Sequence, residues 1–456
     1  MRTTVASLAA LFVAISVLLM GNGLQSTLLP LRAQLEAFST FEIGALGSSY
    51  FVGFGAGCLL GGHVIRRVGH IRAFAGMVSL ASAMALAHAL LLSPVAWCLL
   101  RGLTGFCFAA ITMIIESWLN ERSTNQTRGT VLSIYTIINL TVVTLGQLMI
   151  TLYDPASFPL FAIASILVSL AAVPVALTTS KAPAPVAMVQ VRVAQLYRMS
   201  PVGTLGCFAV GLTNGAFWAL GPIFARQSGL DIPGVAFFMS VAVIAGAAGQ
   251  WPLGFASDRI DRRAVIAVAC LAASLAALGM VLFNDNWDRG ILIFAFAFGV
   301  FAFPLYSLCV AHTNDFVPPT DYVEAASGLL LAYALGAVAG PLAASHLMSA
   351  FGADGLFGYT AAVHALFAGF AVLRMRRRQR APASERAVFT EAMVAAQTVS
   401  HVDARVEPAG PEGVGEGVGV ARPLSEGPAE APSREPHEQP GRGPGHDKAA
   451  DPPPQD

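Results

Sequence analysis

The chain has 456 residues, of which 55% are hydrophobic and 12% charged, with a mean hydropathy of +0.64. A soluble domain averages about 25% charged residues, so this composition excludes an ordinary soluble globule and indicates a membrane protein. The formal charge of zero is unevenly divided: residues 381–456 hold 13 Asp/Glu and 6 Lys/Arg, which leaves residues 1–380 at +7.

An apolar helix needs about 20 residues to cross the hydrocarbon core. Twelve stretches qualify: 5–29, 41–65, 72–92, 95–118, 129–152, 157–179, 201–225, 233–256, 263–283, 289–311, 323–350 and 354–374. The first is read as a retained helix rather than a signal peptide, because eleven more follow it without an evident cleavage site. With the N-terminus inside, the inner loops carry Arg66, Arg67, Arg72, Arg122, Arg128, Arg198, Arg259, Arg262, Arg263 and the run from Arg374 to Arg380. The outer loops carry Arg32, Arg226 and Arg289. This bias predicts cytoplasmic termini in the inner membrane. One inner loop departs from it, with Asp315, Asp321 and Glu324 and no Lys or Arg.

The division expected is a six-helix half at 1–179, a cytoplasmic linker at 180–200, a second six-helix half at 201–380 and a tail at 381–456. The linker starts stiffly with Lys181-Ala182-Pro183-Ala184-Pro185, and Gln190 to Met199 reads as a short interfacial helix. The tail is rich in Pro, Gly, Glu and Ala and is expected to be disordered. A spacing of 192 residues relates the halves: Asn22-Gly23 to Asn214-Gly215, Pro30 to Pro222, Gly62 to Gly254 and Arg67 to Arg259. It predicts an internal repeat.

No Walker loop, HExxH or Gly-x-Ser-x-Gly elbow occurs, so the chain reads as no enzyme, without metal, cofactor or nucleic-acid partner. The six cysteines lie in apolar runs without ligand spacing and read as small hydrophobes. His88, His346 and His364 lie toward outer helix ends and are expected at the interface.

The charged turn Gly254-Phe255-Ala256-Ser257-Asp258-Arg259-Ile260-Asp261-Arg262-Arg263 follows the second span of its half. Its G-x-x-x-D-R-x-x-R-R pattern, with twelve spans in two repeats, resembles the major facilitator superfamily. Arg101-Gly102-Leu103-Thr104-Gly105 resembles that family's R-x-x-x-G motif, and Gly336 to Pro341 its G-x-x-x-G-P motif, here on helix eleven. The first-half turn keeps Gly62 and Arg67 but has Arg66 where the family has an acid. The resemblance implies that helices one and seven line a central path. It also implies that the first turn faces the start of helix eleven (Asp321, Glu324) and the second the start of helix five (Arg128). Arg66, Arg67, Arg128, Asp258, Arg259, Arg262, Arg263, Asp321 and Glu324, with Gly62 and Gly254, are therefore expected to form gate latches of exchanged polarity.

Ionisable groups inside a span are costly and mark cavities or partners. Arg101, two turns below the outer face of helix four, reads either as an anion-binding group or as a cation snorkelling to headgroups. Glu116, near the inner end, is a proton or gate candidate beside a structural one. Asn22, Gln25, Asn139, Asn214 and Trp218 are candidates for a substrate cavity, with interhelical hydrogen bonding as the alternative. The reading is an all-α secondary transporter, a monomer in the bilayer, moving a small organic solute by alternating access. Coupling to protons stays open, because no carboxylate stands clearly at the midplane. The competing reading is a membrane receptor or scaffold that uses the tail.

Overall fold

The computed structural model describes residues 2–123, 127–177, 193–283, 290–318 and 321–377, together with Phe389. Among the described residues twelve helices are long and apolar enough to cross a membrane. They are α1 (Arg2–Leu35), α2 (Thr40–Val68), α3 (His70–Leu90), α4 (Pro94–Glu121), α5 (Arg128–Leu148), α6 (Pro159–Ala176), α7 (Pro201–Gln227), α8 (Ile232–Arg259), α9 (Arg262–Leu282), α10 (Gly290–Asn314), α11 (Tyr322–Phe351) and α12 (Asp354–Arg377). A short linker helix, Val193–Met199, precedes α7. The rest of the expected linker, from 180 to 192, and the tail apart from Phe389 lie outside the described residues.

Local chemistry sets the ends. Ser39 and Glu42 form a reciprocal capping box at the start of α2. Asp231 accepts from the Gly234 amide at 2.8 Å at the start of α8. Gly69, with φ of 84°, makes the one-residue turn between α2 and α3, a backbone region that favours glycine. Spans differ from the sequence expectation chiefly at helices one, six and ten. Helix one runs on through Pro30 to Leu35. Helix six breaks at Ala171 and ends at Ala176. Helix ten divides into Gly290–Ala302 and Leu305–Asn314, because Pro304 has no amide to donate and its ring crowds the turn before it.

The repeat is visible in helix packing. The carbonyl of Tyr50 on α2 lies where a Cβ on Gly105 of α4 would go, and Ala242 on α8 stands in the same relation to Gly299 on α10. Gly23 abuts Val143 on α5, and Gly215 abuts Ala337 on α11. Small residues let these backbones touch, which is how helices associate where burial from water drives nothing. Outward-facing Leu59, Leu99, Ile244, Leu275 and Leu366 supply the apolar coat that lipid requires.

Twelve alternating spans put the start of α1 and the end of α12 on one face, here called the termini face. The apolar cores are unequally distributed. One core, including Leu24, Trp97, Phe217, Phe298 and Phe357, joins both halves toward the opposite face. Toward the termini face each half keeps its own: Phe74, Phe108 and Trp118 in the first, Val265, Leu308 and Phe367 in the second. The seam between halves is tightest between α2 and α11. There Gly44 abuts Pro341 and Ser345, and Ser48 Oγ donates to the Val338 carbonyl at 2.7 Å. Beside it, Gly47 abuts Ala219 of α7.

Candidate functional site: a cavity between the halves

A cavity of about 250 Å³ opens between the halves at mid-depth. Its polar wall comes from Asn22 and Ser26 on α1, Tyr50 on α2, Arg101 on α4, Asn139 on α5, Trp218 on α7 and Tyr333 on α11. Leu29, Ile43, Leu46 and Val143 are part of its apolar remainder. Of the residues expected at a cavity, Asn22, Arg101, Asn139 and Trp218 border it. Gln25 and Asn214 are buried but not among its walls.

The close contact of α4 on α2 at Gly105 positions Arg101. Its guanidinium carbon sits 4.3 Å from the Tyr50 ring centroid, within cation–π range. The residue is 9% exposed and borders the cavity, which is not the posture of a side chain snorkelling to headgroups. Among the described residues Arg101 Nη1 has no hydrogen-bond partner. Asn22 interacts with the Tyr50 hydroxyl, and Asn214 with that of Tyr333. The Oδ1 atoms of both asparagines are buried and accept no hydrogen bond from the described residues. Trp218 rests its ring against Phe217 and Phe303. The cavity can therefore offer one cation, several amide and hydroxyl groups and an aromatic face.

Glu116 is fully buried near the termini face, close to Cys58 of α2 and Tyr135 of α5, and does not border the cavity. His88 and His364 correct the expectation of interfacial histidines. Both are buried, bonded through Nδ1 to the carbonyls of Met84 and Thr360, and set edge-on to Trp97 and Phe298. His346 is exposed.

At the second charged turn, Arg262 is buried and bridges two acids. It meets Asp258 at 2.8 Å and Asp315 at 2.7 Å, and donates to the Ala311 carbonyl. Arg263 pairs with Asp261 at 2.8 Å. Burial pulls the Asp261 carboxyl up, but hydrogen bonds and charge from Arg263 outweigh it and hold the group below its ordinary value. Arg259 is exposed over the Phe255 ring. Asp258 also accepts from the backbone amide of Phe389, whose ring covers Gly254. The partners that Asp258 displays thus come from its own half and from the tail, while the side chain of Arg128 lies outside the described residues.

At the first turn Gly62 is buried and Arg66 and Arg67 are exposed. Asp321 and Glu324 border a small groove against Gln195, Leu196 and Met199 of the linker helix. The antiparallel register that pairs Gly44 with Ser345 and Gly55 with Ala334 brings Arg66 level with the start of α11.

Residues of these sites that the sequence does not pick out include Ser26, Tyr50, Tyr333, Asp315 and Phe389. Tyr50 and Tyr333 gave no signal, since an isolated tyrosine in a span is ordinary. Asp315 shows in the sequence only as a breach of loop charge. Phe389 stands in the stretch from Glu385 to Val402, whose composition suggests a solvated helical turn or two and no packed core.

The major facilitator superfamily model matches residues 11–289 and 203–402. The uncharacterized MFS-type transporter YcaD of Escherichia fergusonii is 28% identical over 352 residues, covering 75% of this chain and 89% of that protein. The crystal structure of the nucleoside transporter NupG aligns with TM-score 0.69 at 14% identity, over 86% of this chain and 99% of that one. A bacterial homolog of the human lysosomal transporter Spinster, in an inward-facing and occupied conformation, aligns with TM-score 0.65 at 16% identity, over 83% and 97%. Twelve spans, a paired-half architecture and the match along most of the sequence agree: the chain is a multi-pass membrane protein of the major facilitator superfamily.

Proposed function

We propose that this protein is a secondary transporter that carries a small organic solute through the cavity between its halves by alternating access. The observation that carries the reading is the cavity itself, because its walls come from both halves: Asn22, Arg101 and Asn139 from one, Trp218 and Tyr333 from the other. A solute held by both is released when the halves part, so its binding is tied to their motion. The shared core toward the opposite face and the separate cores toward the termini face suit a molecule whose sealed side is the opposite one. Arginine placement favours a cytoplasmic termini face in the inner membrane. Among described residues that face holds Arg66, Arg67, Arg72, Arg122, Arg259, Arg262, Arg263 and Arg374, against Arg32 and Arg226 opposite.

Glu116 is the candidate for proton coupling, as a carboxylate buried within a span. Arg66 with Asp321 and Glu324 forms the candidate latch of the termini face.

The test is a thermal-shift screen of solute classes in detergent, followed by uptake into proteoliposomes. Ligands raise apparent stability by mass action. Hits should be taken up, and Asn22→Ala and Trp218→Ala should weaken both signals with expression intact. Uptake that ignores both substitutions would overturn the central cavity as the route.

A further inference from the structure

Arg101 is nine-tenths buried, within a span, at the wall of a cavity, and its Nη1 has no hydrogen-bond partner among the described residues. Among the described residues no carboxylate pairs with it, and among those lining the cavity it alone carries a charge. A buried cation without a counter-charge is unfavourable, and cation–π contact with Tyr50 offsets only part of that. Something else is needed to complete this site.

We infer that the solute is an organic monoanion, a carboxylate with an apolar or aromatic body, whose charge completes the site at Arg101. This rests on the transporter reading. One guanidinium, with no second Lys or Arg among the described residues that line the cavity, matches one negative charge and a planar carboxylate better than a doubly charged phosphate. The apolar wall of Leu29, Ile43, Leu46 and Val143, with the Trp218 ring, accepts the body of the molecule. The unpartnered Asn22 Oδ1 accepts a hydrogen bond from a hydroxyl or amide carried on that body. At about 250 Å³ the space lies near the lower edge of small-molecule sites, roughly 300–1,000 Å³.

The experiment uses the full chain in detergent and two matched probe series. The acids are benzoate, 4-hydroxybenzoate, phenylacetate and hexanoate; the neutral partners are the corresponding amides. Melting is followed for the wild type, Arg101→Gln, Arg101→Lys and Trp218→Ala. At least one acid should raise the melting temperature with saturation, its amide should shift it at least tenfold more weakly in concentration, and Arg101→Gln should abolish the response. Arg101→Lys should keep part of it. Empty Arg101→Gln should melt no lower than the wild type, since it sheds an uncompensated charge. The inference is overturned if no acid stabilises, if amides match acids, or if Arg101→Gln responds as the wild type does. A further arm adds phosphatidylglycerol: an Arg101-dependent shift with that lipid and none with the acids assigns the counter-charge to a headgroup and also overturns it. Amide binding that depends on Trp218 but not Arg101 would sink the anion while leaving the transporter intact. Indifference to every probe and every cavity substitution, in melting and in uptake, would remove both.

Discussion

The backbone amide of Phe389 donates to the Asp258 carboxylate at 3.0 Å, and the Phe389 ring closes over Gly254. The glycine and the acid of the second charged turn thus receive a residue from beyond the last span. Phe389 is 4% exposed and belongs to the second half's own apolar core. Phe389→Ala should destabilise by about 2 kcal/mol, below the usual range for a central core phenylalanine because the ring sits at the rim of the bundle. Melting curves check this. Truncation after Arg380 should reproduce the loss, and truncation after Val402 should not.

Arg262 gathers Asp258, Asp315 and the Ala311 carbonyl on one guanidinium. Arg262→Met should cost about 3–5 kcal/mol, because it strips a buried carboxylate of its ion pair. Adding Asp315→Leu to that variant should recover a large part. A double variant as unstable as the single one would show that the pair is not what the arginine supports.

Asp261 caps α9 and pairs with Arg263. Its folded value lies below the ordinary one, so its contribution is present above about pH 4 and is lost as the pH falls through the depressed value. Asp261→Asn should therefore be less stable than the wild type near neutrality, and the difference should shrink as the pH falls below about 4. Melting across that range gives the comparison.

Gly47 leaves no room for a side chain against Ala219 of the other half, and Gly44 none against Pro341 and Ser345. Gly47→Leu should keep the opposite face from sealing. Cysteines placed along the cavity wall at Ser26 and Val143 should then react with impermeant thiol reagents from that face, and uptake should fall at least tenfold. Unchanged labelling with normal uptake would show that this contact does not gate access.

For the latch, Arg66→Glu should slow transport, and Glu324→Arg on top of it should restore part of the rate. Each partly exposed pair is worth about 1 kcal/mol or less, which is enough to bias a balanced gate severalfold. A double reversal no better than the single one would end the idea.

The spans were legible because lipid imposes a composition and a length that nothing else in the chain shares. The repeat was legible because close helix contact needs small residues at fixed places, as at Gly23 and Gly215. The cavity was half legible. Asn22, Arg101, Asn139 and Trp218 are polar or amphipathic in apolar runs and stand out, whereas Tyr50 and Tyr333 acquire their meaning only from what packs over them. Gln25 carries the same sequence signal as Asn22, yet it stands about 60° round α1 from it and is not among the cavity walls. Phe389 and the break at Pro304 depend on tertiary company that periodicity does not encode.

The break in α10 leaves Phe303 wedged against Gly246 of α8, with its ring centroid 6.1 Å from that of Trp218 and 5.4 Å from that of Phe217. A solute lying on Trp218 is therefore only one ring removed from the joint of a divided helix. Beyond that joint the lower piece runs to His312, Thr313 and Asn314, next to Asp315 and its arginine. Aromatic rings are stiff and incompressible at this packing, so a displacement of the indole is handed on rather than absorbed. The same indole is a fluorophore, so with the other four tryptophans replaced by phenylalanine its emission should change when a solute fills the cavity.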